Sequence, residues 1–554
     1  MKCILLSLLF GAAAALVAGP MRHPLYEPAA PTSAPELAPE VLAQGKRLVA
    51  VSPRLRFARD CVPAVPEQRA IELSGWRGER VNAQVLVISP TGFKELTVEP
   101  LTLTLPDGTP VPFRLDWVRY TLANGALVAD ILDGTEQTRF EGVVRPLFLS
   151  ADLPRTSAGS TSGTLTVRVE GEALTLPIHL HVSERLLPPP EQWQCHVDIW
   201  QHPDAVARWH DVPMWSAEHF ALLKPQMVRL AQLGQKTITA TLIDEAWDQQ
   251  TFDRFRGMIA VARGVDGSWH YDYTAFDRWV TFMREEVGLK QAAIHCYTMI
   301  PWSLRFAYYD HAQGKQVAPK LQPGTEAYED FWGHYLSAFV AHVREKGWEA
   351  DTRIAMDERP DALLKPALAI ARKYAPTLKL VAACDRPSEL NGDFADVSYS
   401  FGIAERLFDI ADARRAKGQF TTFYVCCHPA RPNTFMASDL AESEWLLPFA
   451  AHCGLDGFLR WAYQSWVENP LVCQDYTAWP SGDTALIYPG NRSSLRLEAL
   501  REGIESFEKI RILRAQGDAE TKARLDRALA RFTVPEGGKR EHLQALQALD
   551  EALR

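Results

Sequence analysis

With 554 residues, 47% of them hydrophobic and 10% aromatic, the chain exceeds what one core usually serves, and two or three domains are expected. Its 59 Lys and Arg against 68 Asp and Glu leave a formal charge of -9, which argues against the concentrated basic face that a nucleic-acid partner needs. Nine cysteines without any CxxC spacing indicate neither a zinc site nor a dense disulfide framework, and Cys426 and Cys427, which adjoin, read as strand residues.

In chain order, Lys2 followed by the apolar run Ile4 to Ala18 has the pattern of a signal peptide over residues 1–19. It predicts export to a periplasmic or extracellular location and is too short for a comfortable membrane span, so no integral membrane segment is expected. Residues 20–47 are Pro- and Ala-rich and read as a linker.

Over 48–187 short runs alternate apolar and polar side chains: VNAQVLV from Val81, LTLTL from Leu101, TLTVRV from Thr164 and LTLPIHLHV ending at Val182. Asp107-Gly108 and Glu170-Gly171 supply hairpin turns, and the whole predicts an antiparallel β-sandwich accessory domain.

Pro188, Pro189 and Pro190 break the chain, after which apolar runs alternate with helical stretches. The strands CHVDIW (Cys195), KTITATL (Lys236), AAIHCYT (Ala292), RIAMDE (Arg353), LKLVAAC (Leu378), DVSYS (Asp396), FTTFYVC (Phe420) and GFLRWAY (Gly457) number eight, which predicts an α/β fold, a (β/α)8 TIM-type barrel over 188–515. Thr325 to Gly347 is the best helix, with Thr325 as cap, acids in the first turn and a Phe331, Tyr335, Phe339 stripe. A second helix is expected from Asp361 to Tyr374 despite Pro366, while the helix after the fifth strand is poorly defined. Helical sequence from Leu495 to Ala515 and from Ala519 to Leu553 closes the chain. Residues 516–554 form a C-terminal helical segment able to pack on the barrel or on a second copy in a homodimer.

Active sites of such barrels sit on the loops at the carboxyl ends of the strands. Asp357 and Glu358 directly follow the apolar Ile354 to Met356, whereas the pairs Glu285-Glu286, Glu329-Asp330 and Asp550-Glu551 fall in helical sequence and read as solvated faces. Asp244 and Glu245, after the second strand and beside Trp247, are a rival position suited to substrate binding. Trp200, Tyr297, Trp302, Tyr399, Tyr424, Trp461, Tyr463 and Trp466 lie near or beyond strand ends, where aromatic faces can stack on sugar rings or fill the core. No HExxH, Walker or GxSxG pattern is present, so no metal or cofactor is expected and hydrolysis by carboxylates remains. Consecutive strand residues face opposite ways, so both acids reach one sugar only if the strand ends or bulges there, and Pro360 favours an ending.

HVDIWQHP from His196, AMDERP from Ala355, GFLRWAYQSW from Gly457 and WPSGDTALIYPG from Trp479 followed by LRLEALREGIESFE from Leu495 resemble glycoside hydrolase family 123. The resemblance implies a retaining β-N-acetylgalactosaminidase in which the substrate's 2-acetamido oxygen is the nucleophile. It implies that Glu358 protonates the leaving oxygen and later deprotonates water, while Asp357 orients the acetamido N–H. Trp200, His202 and Asp244 fall among the substrate-binding positions, Trp461, Tyr463 and Trp466 resemble an aromatic wall, and Tyr297 and Tyr424 are placed to bond the acetamido group. The partner is then an amino-sugar-containing glycan. Two other readings stay open: a barrel glycosidase with Glu358 as acid and Asp244 or Glu245 as nucleophile, and a non-catalytic carbohydrate-binding protein.

Overall fold

The computed structural model describes residues 27–31, 38–65, 68–134, 139–534 and 539–554, so the leader expected over 1–19 lies outside the described residues. Within the stretch read as a linker, Glu27 is buried between the guanidinium groups of Arg59 and Arg145, at 2.7 and 2.5 Å.

The amino-terminal third is a two-sheet sandwich. One sheet runs Arg47–Val51, Arg80–Ile88, Val144–Asp152, Arg114–Ala123, Ala126–Asp133 and Ser493–Ser494, antiparallel throughout. The other runs Ile71–Arg77, Glu172–Leu186, Gly159–Val169 and Leu96–Val98. Its first pair is parallel, an exception to the antiparallel expectation. Val85, Val87, Leu147, Leu149, Leu165, Val167, Ile178 and Leu180 fill the space between the sheets. Arg80–Ile88 does not alternate as a half-solvated strand should, because the outer face of its sheet is also covered: Val118, Tyr120 and Phe148 pack on Leu440 and Leu495 from the second half.

The eight expected strands form one parallel sheet: β1 His196–Ile199, β2 Thr237–Thr241, β3 Ala293–Tyr297, β4 Thr352–Met356, β5 Lys379–Cys384, β6 Asp396–Ser400, β7 Phe420–Tyr424 and β8 Gly457–Arg460. Neighbours pair in order from β2 through β8 and on to β1. A parallel bridge from Val197 to Gln235, with Lys236 N–H donating to the Val197 carbonyl at 2.8 Å, joins β1 to β2 and closes the ring. Gly457 is required where β8 meets β1, since a Cβ there would overlap the His196 carbonyl.

Alternation along the strands sorts residues into two environments. Val197, Ile199, Ile238, Ile294, Ile354, Val397, Phe423 and Phe458 join the core beneath the helices. Inside the barrel the lower part is polar and paired: His196 Nε2 lies 2.5 Å from Asp396, and Thr237 and His295 lie 2.5 and 3.2 Å from Asp198. The upper part is apolar and aromatic, formed by Trp200, Tyr297, Ala355, Val381, Ala383, Tyr424 and Leu459.

Helix Glu326–Glu345 is capped by Thr325, which accepts from Tyr328 N–H, and buries Phe331, Tyr335 and Phe339 as expected. Asp361–Tyr374 continues through Pro366. After β5 only the short 3-10 turn Glu389–Asp393 forms. Segments following β2 and β3 build a separate sheet of Trp269–Asp272, Ala260–Arg263, Tyr308–Asp310 and Lys315–Val317. The C-terminal helices Leu495–Gln516, Ala519–Leu529 and Lys539–Leu553 pack on the barrel, with Gly503 lying directly over the Glu444 carbonyl of Leu440–His452 and Trp445 set against Phe532 and His542.

Candidate active site

β4 ends at Met356, and two residues later the chain bends, with Pro360 in extended geometry just before helix Asp361–Tyr374. Ala355 faces the barrel interior. Asp357 continues that inward series, while Glu358, already past the strand, escapes the alternation that would turn it outward. The two carboxyls therefore share the mouth. Trp302, on the loop after β3, donates its indole N–H to Asp357 Oδ2 at 2.7 Å, and the Tyr424 hydroxyl at the end of β7 donates to Glu358 Oε1. The Arg359 guanidinium lies over the Trp302 ring at 4.7 Å.

Burial is the largest influence on both acids and raises the proton affinity of each. Around Asp357 it is opposed by the Trp302 N–H, the backbone N–H of Glu358 and the charge of Arg359. Around Glu358 burial is reinforced by Asp357, Cys426 and Asp385, and its carboxyl is pushed up to about 8. Donors and a cation gather on one carboxyl and negative neighbours on the other, so the first is favoured as the anion and the second as the neutral acid.

Trp200, Trp247 and Tyr297 pack with ring centroids 4.6 to 5.2 Å apart, and Phe255 extends the group at 4.5 Å from Trp247. The Tyr297 phenol is held well above its ordinary range by burial and then by Asp198, Asp357 and Asp396, which keeps it a neutral donor. Trp461 follows β8, half-buried, with its indole N–H on Asp483 at 3.2 Å and its ring edge-on to Trp479 at 6.1 Å. The structure thus gathers Asp357, Glu358, Trp200, Tyr297, Tyr424 and Trp461 at one end of the barrel.

Other expected site residues are elsewhere. Tyr463 and Trp466 sit in the main core, the Tyr463 hydroxyl donating to the Gln226 carbonyl at 3.1 Å and the Trp466 N–H to the Ile487 carbonyl at 2.8 Å. They are support beneath the mouth rather than its wall. His202 is stacked on Phe255 at 3.6 Å, and burial lowers its imidazole to about 3. Asp244 accepts from Arg254 and from Gly257 N–H, both at 2.8 Å, and so pins the loop after β2. Glu245 accepts from Gln249 N–H at 3.0 Å and pairs with Arg254 at 3.3 Å. Among the described residues no group of three or more His, Cys, Asp or Glu is disposed to hold a metal ion.

Residues 200–513 match the model of the glycoside hydrolase 123 catalytic domain, and residues 51–169 match that of the glycoside hydrolase 123 N-terminal domain. The chain belongs to glycoside hydrolase family 123. A family 123 glycoside hydrolase from Clostridium perfringens, described in connection with glycolipid glycan hydrolysis, shares the fold with a TM-score of 0.84 over 92% of this chain and 97% of that one, at 21% identity. A bacterial Ig-like domain-containing GH10 xylanase from termite gut aligns over 79% of this chain and 100% of its own at 10% identity and a TM-score of 0.34. No curated protein matches.

In this family 123 hydrolase, the loops after β7 and β8 are held by residues whose role composition could not reveal. Arg460, fully buried, donates to the Asp483 carboxylate at 2.5 Å, to the Asp483 carbonyl at 2.6 Å, to Thr434 Oγ1 at 3.0 Å and to the Val425 carbonyl at 3.2 Å. Because Asp483 also receives the Trp461 N–H, one buried ion pair sets the angle of that indole. Trp302 and Arg359 were likewise visible, as a post-strand aromatic and as part of AMDERP, yet only the folded loop brings them onto Asp357.

Proposed function

We propose that this glycoside hydrolase is a retaining β-N-acetylgalactosaminidase that acts by substrate-assisted catalysis. The observation that carries the reading is the opposed setting of two neighbouring carboxyls, Asp357 beneath the Trp302 N–H and Glu358 held near neutrality at about 8. Glu358 donates its proton to the glycosidic oxygen as the C1–O bond breaks, and the acetamido carbonyl oxygen bonds to C1 in its place. Asp357, as the anion, accepts from the acetamido N–H and stabilises the positive charge of the resulting oxazolinium. Glu358, now the carboxylate, takes a proton from water as that water attacks C1 and displaces the acetamido oxygen, which restores the acetamido group and the Glu358 acid with the configuration retained. The Tyr424 hydroxyl orients Glu358, and Trp200, Trp247, Tyr297 and Trp461 offer ring faces to the sugar.

The hydrogen bonds that occupy Asp244 and Glu245 favour this scheme over one with an enzymic nucleophile from the second strand. By analogy with the Clostridium perfringens enzyme, the substrate is the glycan of a glycoconjugate such as a glycolipid. Among the described residues no helix is long and apolar enough to cross a membrane. Hydrolysis of aryl N-acetyl-β-galactosaminide, N-acetyl-β-glucosaminide and plain β-galactoside tests reaction, sugar and acetamido dependence together. Turnover of the first and none of the last is expected; equal turnover of the plain galactoside would overturn the proposal.

A further inference from the structure

The loop that leaves β7 carries Cys426 and Cys427, expected as strand residues, but the strand ends at Tyr424 and both lie in the bend that follows. Their sulfurs are 3.7 Å apart and both residues are half-buried, within reach of small solutes. The backbone on one side is anchored: Cys426 N–H bonds to the His428 carbonyl at 3.0 Å and the Cys426 carbonyl accepts from Asn433 at 2.9 Å. Cys426 packs against the aromatic group of the mouth, and two residues earlier Tyr424 bonds Glu358. Cys195, Cys296, Cys384 and Cys453 are buried, whereas Cys61 and Cys473 stand alone in sequence.

We propose that Cys426 and Cys427 form a reactive vicinal dithiol at the rim of the active site, oxidised by low-molecular-weight disulfides to a Cys426–Cys427 disulfide that misplaces Tyr424 and slows the enzyme. The chemistry balances by two exchanges. One thiolate attacks the oxidant's disulfide and expels one small thiol; the neighbouring thiolate then attacks the mixed disulfide and expels the second, so the protein loses two hydrogens and the oxidant is reduced to two thiols. The second step is intramolecular and fast because the partner sulfur is already alongside. Sequence-adjacent residues across a trans peptide have Cα atoms about 3.8 Å apart, short of the roughly 4.4 Å lower bound of relaxed disulfides. Closing the ring must therefore move the backbone beside Glu358, and the strained bond is easily reduced, which suits a reversible modification rather than a structural cross-link.

The test uses the full chain in two readouts. Oxidised glutathione should lower the intact mass by two hydrogens, with the cross-link mapping to one peptide containing residues 426 and 427. Phenylarsine oxide, which bridges two close thiols, should add once per reduced chain and not at all after oxidation. C427S should abolish both. Turnover of an unactivated N-acetyl-β-galactosaminide disaccharide, whose leaving group needs the Glu358 proton, should fall in step with the mass change and return with dithiothreitol. Glutathione retained as a mixed disulfide, an arsenical adduct that survives in C427S, or a closed disulfide with unchanged turnover would overturn the proposal. The mass readouts stand even if the assigned sugar specificity fails, so the two failures are distinguishable.

Discussion

At the scale of single residues, the account turns on two adjacent carboxyls being made unlike by their neighbours. General acid–base groups typically contribute about 10²- to 10⁴-fold, so E358Q should lose that much turnover on natural glycans, and far less on aryl glycosides whose leaving groups need no proton. The proposed mechanism requires Glu358 protonated and Asp357 charged. Turnover should therefore fall as pH rises through about 8, where Glu358 loses its proton, and fall again on the acid side as Asp357 gains one, at a pH above the ordinary carboxylate range. W302F keeps the ring and removes the N–H. Since that N–H favours the Asp357 anion, its loss should move the acid limb to higher pH and leave the alkaline limb in place. A pH–rate profile of both proteins checks this; an unmoved acid limb would assign the limb to another group.

At the scale of elements, the eight barrel strands were legible because each is a short apolar run, buried on the helix side and bounded by polar residues. The placing of Asp357 and Glu358 at a strand end followed from the same reading, since an acidic pair there differs from one on a solvated helix. The aromatic wall was legible only in part. Trp461 continues the inward series of β8, but Tyr463 and Trp466 lie past the strand, where loop geometry rather than alternation decides which way a ring turns. The partners of Asp244 were equally hidden: a strand-final acid looks the same in sequence whether or not it accepts, as here, from Arg254 and a backbone N–H. The Arg460–Asp483 pair was beyond sequence reasoning, as it joins the end of β8 to a residue far along the loop that follows. D483N should leave Arg460 buried with its charge uncompensated, lowering stability by about 3–5 kcal/mol in denaturant unfolding. By freeing Trp461 it should also raise KM more than it lowers kcat.

At the scale of the whole molecule, two halves that read as separate domains share one interface. Ser493–Ser494, next to the last long helix, adds to the sandwich sheet, and Asp130 of the sandwich lies fully buried between Arg496, at 2.9 Å, and the Tyr488 hydroxyl, at 2.6 Å. The sequence showed two textures and a Pro188–Pro190 break between them, but a long-range pairing carries no local signal, so their fusion was invisible. Calorimetry should accordingly give a single unfolding transition for the full chain. D130N should shift it downward as a unit; two transitions, only one of them shifted, would mean that the halves melt independently.

The most direct test of the central claim is inhibition by the thiazoline analogue of N-acetylgalactosamine, which mimics the cyclic intermediate formed only if the acetamido oxygen attacks C1. Competitive inhibition tighter than binding of the aryl substrate, weakened in Asp357→Ala, is the predicted result. An enzyme that hydrolyses the N-acetyl-β-galactosaminide while ignoring the thiazoline would contradict it.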